Sequence, residues 1–272
     1  MTAPRLVATD LDGTLLHSDG TVTARTRAVL AELDARGVPV VFTTGRPVRW
    51  MEDLWEAVGG HGLAICSNGG IVYDVAQRRV RDFRPVPREV GIAIAELLRE
   101  AIPGTTLAIE HTGGWASEAD FPRHPDDRVE RFQGDYAEIY REDVVKILAV
   151  HRDLDPEEFW RQVEAVVGDQ VVTTWSSSYA LVEISAAGVT KATTLATIAA
   201  EMGLGPEAVV AFGDMPNDLP MLEWAGTSYA MANAHQSVRD LADHLAPSND
   251  DDGVAEVLTD LFALPSRVRN PS

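Results

Sequence analysis

Leu6-Val7-Ala8-Thr9-Asp10-Leu11-Asp12-Gly13-Thr14-Leu15-Leu16 is the apolar-to-acidic junction on which the fold turns. Its apolar start predicts a buried strand and Gly13-Thr14 a turn, so two acids stand one residue apart at the strand's carboxyl end. Residues two apart on an ideal strand share a face, which predicts that Asp10 and Asp12 point into one crevice. In open parallel sheets that crevice is where ligands bind. Paired carboxylates repel unless a positive charge relieves them. A hard dication such as Mg²⁺, which takes oxygen ligands and keeps waters and phosphate oxygens in its shell, answers that need. An aspartate-rich surface turn is the competing reading of the same residues.

Outward from this strand the chain alternates. Thr23 precedes a helical pattern that stops at Arg36-Gly37, and residues 38–42 predict a second buried strand ending in Thr43-Thr44-Gly45-Arg46. Strand, helix, strand implies parallel pairing with a right-handed crossover. A helix over 47–58, a strand over 63–66 closed by Ser67-Asn68-Gly69-Gly70, and strand-like runs at 71–75 and 79–83 follow. Arg84-Pro85-Val86-Pro87 then breaks the pattern.

Residues 88–101 read as a helix, with strands within 106–118, at 144–150, 171–175 and 179–184, and a helix at 156–167. Helices interleaved with adjacent strands suggest an inserted α+β module returning near Ser185-Ala186-Ala187-Gly188. The βα rhythm resumes with a helix opening at Thr190-Lys191, a strand at 208–212 ending in Gly213-Asp214, a helix at 219–224, a strand at 228–231 and a helix at 254–263. The expected architecture is α/β: a doubly wound, Rossmann-like parallel-sheet core from residues 1–84 and 187–272, with an α+β cap domain from 85–186 inserted in it. The tail from 265 onward is expected to fray.

Composition narrows the function. Asp+Glu number 42 against Lys+Arg 23, a net charge of −19 that repels nucleic acid and anionic membranes. No run reaches the roughly 18 apolar residues of a membrane span, and the opening residues hold no signal-peptide segment, so a cytoplasmic protein is expected. The single cysteine, Cys66, excludes an internal disulfide and reads as a small core residue. His17, His61, His111 and His235 show no metal-ligand spacing. The same negative field would repel a phosphorylated metabolite, so an enzyme for one needs local positive charge.

Three strand ends deliver polar groups to one edge of the expected sheet: Asp10 with Asp12, Thr44, and Asp214 with Asn217 and Asp218. Lys191, at a helix start, is the basic partner. Singly each has an ordinary role, as helix cap, solvated lysine or helix-entry loop. Together and in this order, Asp10-x-Asp12-Gly13-Thr14, Thr44-Gly45-Arg46, Lys191 and Gly213-Asp214-x-x-Asn217-Asp218 resemble the haloacid dehalogenase superfamily of phosphatases. More narrowly the chain is similar to the Cof-type branch, subfamily IIB, whose large C2-type cap lies between the second and third of these motifs. The similarity extends to Ser67-Asn68-Gly69-Gly70, Ala230-Met231-Ala232-Asn233-Ala234 and 249–255.

The resemblance implies that Asp10 is the nucleophile forming an aspartyl-phosphate, and that Asp12 is general acid and then general base. It implies Mg²⁺ held by Asp10, the backbone carbonyl of Asp12 and Asp214, with Asp218 in support. Thr44 and Lys191 are implied to bind the phosphoryl group, and Gly45, Arg46, Asn68 and Asn217 phosphate or substrate. An acid at Asp12 favours phosphate monoesters over haloacids. Ala192 and Ala232 depart from the family's usual glycines, which bears on local backbone rather than chemistry. The implied substrate is a small phosphorylated metabolite, with sugar phosphates favoured. A phosphomutase, a phosphatase dedicated to a cofactor or disaccharide phosphate, and a non-catalytic phosphate binder are the alternatives. Selection of the leaving group would fall to the cap, where Trp115 within 110–118 and the stretch 175–179 are candidates that also fit packing roles; Arg46 and Arg49, just past the second motif, are candidates for the mouth that also fit solvated helix residues.

Overall fold

A computed structural model describes residues 4–60, 62–122, 132–175 and 179–265. The core begins with β1 (Leu6–Asp10), α1 (Ala24–Ala35), β2 (Val40–Thr43), α2 (Glu52–Ala57), β3 (Leu63–Cys66), β4 (Ile71–Asp74) and β5 (Arg79–Phe83). The cap follows with α3 (Arg88–Ala101), β6 (Thr106–His111), β7 (Gly114–Ser117), β8 (Phe132–Gln133), α4 (Tyr136–Ile139), β9 (Val144–Val150), α5 (Pro156–Val167), β10 (Val171–Thr174) and β11 (Leu181–Ala186). The core is completed by α6 (Lys191–Glu201), β12 (Val209–Gly213), α7 (Leu219–Trp224), β13 (Thr227–Met231), α8 (Gln236–Leu241), β14 (His244–Ala246) and α9 (Gly253–Leu261).

β1, β2 and β12 are buried at every position, as unbroken apolar runs are when helices cover both faces of a parallel sheet. The core sheet has the order β14-β13-β12-β1-β2-β3-β4-β5. Its strands from β14 to β3 pair in parallel, and β4 and β5 add an antiparallel hairpin at one edge. From β1 the chain winds outward through β2 and β3 on one side and through β12 to β14 on the other. The carboxyl end of β1 is therefore the topological switch point, the place where open α/β sheets bind ligands, and Asp10 stands there.

The expected helix over 47–58 is split into a turn at Val48–Trp50 and α2. The break falls at Met51, whose backbone φ of −103° departs from the helical value while its side chain stays buried on one face with Leu54, Trp55 and Val58. The cap sheet has the order β10-β11-β9-β6-β7-β8. One face packs under α3 and α5 around Ile94, Leu98, Ile147, Phe159 and Val163. The other carries Ala108, Trp115, Phe121, Leu148 and Val150 in a smaller cluster. Val145, on β9, belongs to the core's own apolar cluster, so cap and core share packing. No helix among the described residues is long and apolar enough to cross a membrane.

Candidate active site

The site is assembled where β1 and β12 end. Asp10 closes β1, Lys191 opens α6, and Asp214 and Asp218 lie in the turn between β12 and α7. α6 begins as a capping box, in which the Thr190 hydroxyl accepts from the Thr193 N–H and the Thr193 hydroxyl accepts from the Thr190 N–H. This start aims Lys191 inward, where its Nζ donates to Asp10 Oδ1 at 2.5 Å and to Asp218 Oδ1 at 2.7 Å. Asp218 Oδ2 in turn accepts from the backbone N–H groups of Asp214 and Met215. Thr14 donates to Asp214 Oδ1 at 2.8 Å. Asp10, Thr14, Lys191, Asp214 and Asp218 are all nearly or fully buried.

Carboxylate oxygens of Asp10, Asp214 and Asp218 lie within 4.8 Å of one another. One ammonium faces three carboxylates, and the charge imbalance shows in their titration. Burial pushes the Asp10 carboxyl well above its ordinary range; Lys191 offsets part of that, while Asp218, Asp214 and Asp12 push further up. Asp214 is raised to about 7, by burial first and Asp218 next. Lys191 is raised because Asp10 and Asp218 outweigh the cost of its burial.

An all-oxygen, over-acidic cluster fits a hard dication such as Mg²⁺. Asp218 has both oxygens engaged, by Lys191 and by two backbone donors. Asp10 and Asp214 each keep one oxygen that accepts no hydrogen bond among the described residues, and these two are the better metal ligands.

Asp12 stands near enough for its charge to act on Asp10 and Asp214, but strand alternation is not what places it. The chain leaves β1 at Asp10, and Asp12 sits in the turn Leu11–Leu15, where Gly13 has φ +74° and the period of two no longer applies. A Cβ at Gly13 would stand 2.3 Å from Asp214 Oδ2, so only glycine lets the turn lie against that carboxylate. The Asp12 side chain is 52% exposed and is gripped in bidentate fashion by Arg46, with Nε to Oδ2 at 2.8 Å and Nη2 to Oδ1 at 2.5 Å.

Thr44 is buried, and its hydroxyl accepts from the Arg46 N–H. The turn it opens is stitched to the end of β3, since Ser67 N donates to the Arg46 carbonyl and Asn68 N to the Thr44 carbonyl. Asn217 donates to Asn68 Oδ1 at 3.2 Å. A Cβ at Gly45 would approach that oxygen to 3.1 Å. The segments around Asn233 and Asn249 brace the same end of the sheet: Asn233 donates to the Gly13 carbonyl, and Asn249 N donates to Asn233 Oδ1.

Arg49, expected as a mouth or solvated residue, is an interdomain bridge instead, paired with Glu110 at 3.1 Å and lying over the rings of Trp50 and Trp115. Trp115 is buried edge-on to Phe121, and its packing explains it. Residues 176–178 of the stretch 175–179, and His61, lie outside the described residues. Cys66 is buried, its thiol pushed up to about 12 by burial. Sequence reasoning missed the ion cluster of Glu110, Lys146 and Glu183, which the cap sheet presses against this end of the core. Its signal was a single charge inside each of two apolar strand runs, 144–150 and 181–186.

The haloacid dehalogenase-like hydrolase family matches residues 7–258. A 5-amino-6-(5-phospho-D-ribitylamino)uracil phosphatase of Bacillus subtilis is 29% identical over 97% of this chain and 99% of its own length. The pyridoxal phosphate phosphatase YbhA of Escherichia coli is 30% identical over 93% of this chain and 97% of its own. The crystal structure of a haloacid dehalogenase-like hydrolase from Bacteroides thetaiotaomicron superposes with a TM-score of 0.78 at 25% identity, covering 95% of this chain and 100% of that one. With its nearly full-length match, its two-sheet architecture and its acidic cluster at the switch point, the chain belongs to the haloacid dehalogenase-like hydrolases, as a Cof-type phosphoric monoester hydrolase.

Proposed function

We propose that the chain is a Mg²⁺-dependent phosphatase of small phosphorylated metabolites, sugar and polyol phosphates foremost, working through an aspartyl-phosphate on Asp10. The observation that carries this reading is the buried contact of Asp10 with Lys191, beside Asp214 and Asp218. We take residues 1–84 and 187–272 as the catalytic core and 85–186 as the cap that admits the leaving group.

The Asp10 oxygen attacks phosphorus in line, and the bond from phosphorus to the leaving alcohol breaks. Asp12 gives the alcohol its proton. Water then attacks the acyl phosphate, Asp12 takes the water's proton, and the bond between phosphorus and Asp10 breaks to release phosphate. Asp12 performs both transfers only after Arg46 lets go of it and it has taken up a proton from the substrate monoanion or from water; the incoming phosphate is the anion that draws Arg46 away. Lys191, Thr44, the Gly45 N–H and the freed Arg46 guanidinium bind the phosphoryl oxygens. Mg²⁺, held by the Asp10 and Asp214 carboxylates and the Asp12 carbonyl with Asp218 in support, would offset the charge on those oxygens.

The ribityl phosphate named for the Bacillus relative supports a polyol substrate, and the Escherichia relative a cofactor phosphate. A single buried thiol and a metabolite substrate accord with a cytoplasmic setting. The test is phosphate release from sugar phosphates, phosphorylated cofactors, nucleotides and an aryl phosphate, with Mg²⁺ or with chelator. Release should need Mg²⁺ and vanish in Asp10→Asn, which keeps its circular dichroism. Substantial turnover by the variant would overturn the nucleophile, and transfer to a second alcohol instead of water would mark a mutase.

A further inference from the structure

The cap meets the core through buried charge. Lys146, in the middle of β9, is 1% exposed, yet its neighbours Val145, Ile147 and Leu148 are all apolar. Its ammonium has three hydrogens and three acceptors: Glu183 Oε1 at 2.5 Å, Glu110 Oε2 at 3.1 Å, and the carbonyl of Gly45 at 2.7 Å. Two of these belong to the cap and one to the turn Thr44-Gly45-Arg46 of the core.

The two glutamates reach the core as well. Glu183 Oε2 accepts from Asn68 Nδ2 at 2.9 Å. Glu110 accepts from the Ser67 hydroxyl at 3.3 Å and pairs with Arg49. Ser67 and Asn68 stand in the left-handed region, at φ +50° and +54°, a conformation uncommon for non-glycine residues that the surroundings must hold. Their backbone N–H groups are the ones bonded to the Arg46 and Thr44 carbonyls, and the Asn68 side chain accepts from Asn217. Apart from Arg49, every core end of the cluster thus lands on the turn carrying Thr44 and Arg46 or on the residues that buttress it.

We propose that Lys146, together with Glu183, is a positioning residue for phosphoryl binding. Through the Gly45 carbonyl and the Asn68 amide, the cap sets the turn that receives the phosphate. Lys146 does not touch substrate, because its three hydrogens are already engaged. Burying two cations and two carboxylates is seldom favourable for stability alone, since desolvation consumes much of the attraction; a cluster placed on the phosphate-binding turn has a further use. The cap's Lys146, Glu110 and Glu183 carry one net negative charge between them, and the core's Arg49 cancels it, so the interface as a whole is neutral. The role rests on the phosphatase reading above.

The test uses the full chain and orthovanadate, a mimic of the phosphoryl group in flight. In Lys146→Met, vanadate affinity should fall by roughly tenfold or more, as misplacement of a binding turn does, and KM should rise alike for an aryl phosphate and for a sugar phosphate. Mg²⁺ affinity, governed by Asp10 and Asp214 on other strands, should stay within about twofold. Lys146→Arg, which keeps the charge and reaches the same acceptors, should restore part of the vanadate affinity. Should Lys146→Met leave its carboxylates too poorly paired to fold, Lys146→Met with Glu183→Gln removes one charge of each sign and gives the same comparison. A folded variant with lower thermal stability but wild-type vanadate affinity and KM would overturn the positioning role and leave a mere interdomain staple. Failure of wild-type protein to bind vanadate or release phosphate is a separate result, which would overturn the phosphatase reading on which the role depends.

Discussion

At the scale of single residues, the site is a competition for positive charge among three buried carboxylates. Asp214 shows it most clearly, with its carboxyl raised from 3.8 to about 7. A carboxyl with a higher pKa in the folded than in the unfolded chain holds its proton more tightly when folded. Its stabilising contribution is complete below 3.8 and is lost as pH rises through about 7. Asp10, raised for the same reason, acts in the same direction. Metal-free protein should therefore lose thermal stability between about pH 4 and pH 7, apart from the general effect of other acids. Mg²⁺ bound at this cluster would compete with these protons. The rise in melting temperature on adding Mg²⁺ should be small at about pH 5 and large at about pH 8, and a Mg²⁺ effect independent of pH across scanning calorimetry runs would contradict the assignment. The members of this cluster were legible because each is an acid or lysine at the end of an apolar strand or the start of a helix. The Arg46 grip on Asp12 was not, because strand alternation was carried two residues past the end of β1, into a turn whose geometry Gly13 sets.

At the scale of elements, α6 does the positioning. Its first residue is the buried lysine of the site, so the helix must start at one defined place. The capping box between Thr190 and Thr193 supplies that definition. Thr190→Ala removes the side-chain acceptor from a helix end and should cost about 1 kcal/mol in urea unfolding. Because the helix start also aims Lys191, kcat should fall with it; an unchanged kcat would separate helix capping from catalysis. Elements such as α6, β1, β9 and α5 could be read from sequence because their apolar periodicity is long or a cap marks their start. α8 and β14 could not, since Val238 and Ala246 are their only buried residues and one apolar side chain has no period. The interdomain cluster escaped notice for a related reason: Lys146, Glu110 and Glu183 lie far apart in the chain, and only the pairing of β6, β9 and β11 places them together.

At the scale of the whole molecule, a net charge of −19 surrounds a site that must accept an anion. The opposing positive charges are close and largely buried, while most of the negative ones are spread over the surface. Salt distinguishes the two sets. The Debye length is about 30 Å at 0.01 M ionic strength and about 8 Å at 0.15 M, so added salt silences the distant acids and leaves the contacts inside the site nearly intact. Asp12 and Arg46, 52% and 31% exposed beside the buried cluster, are open enough for the surface field to act on an arriving phosphate. Raising NaCl from about 0.01 M to about 0.15 M at fixed free Mg²⁺ should therefore increase kcat/KM for a dianionic phosphate monoester, with the gain falling on KM rather than kcat. An enzyme whose surface attracts its anionic substrate shows the reverse trend. A fall in kcat/KM over this range would mean that Arg46 and its neighbours govern capture from further out than their burial suggests, and that the acidic surface is turned away from the path of entry.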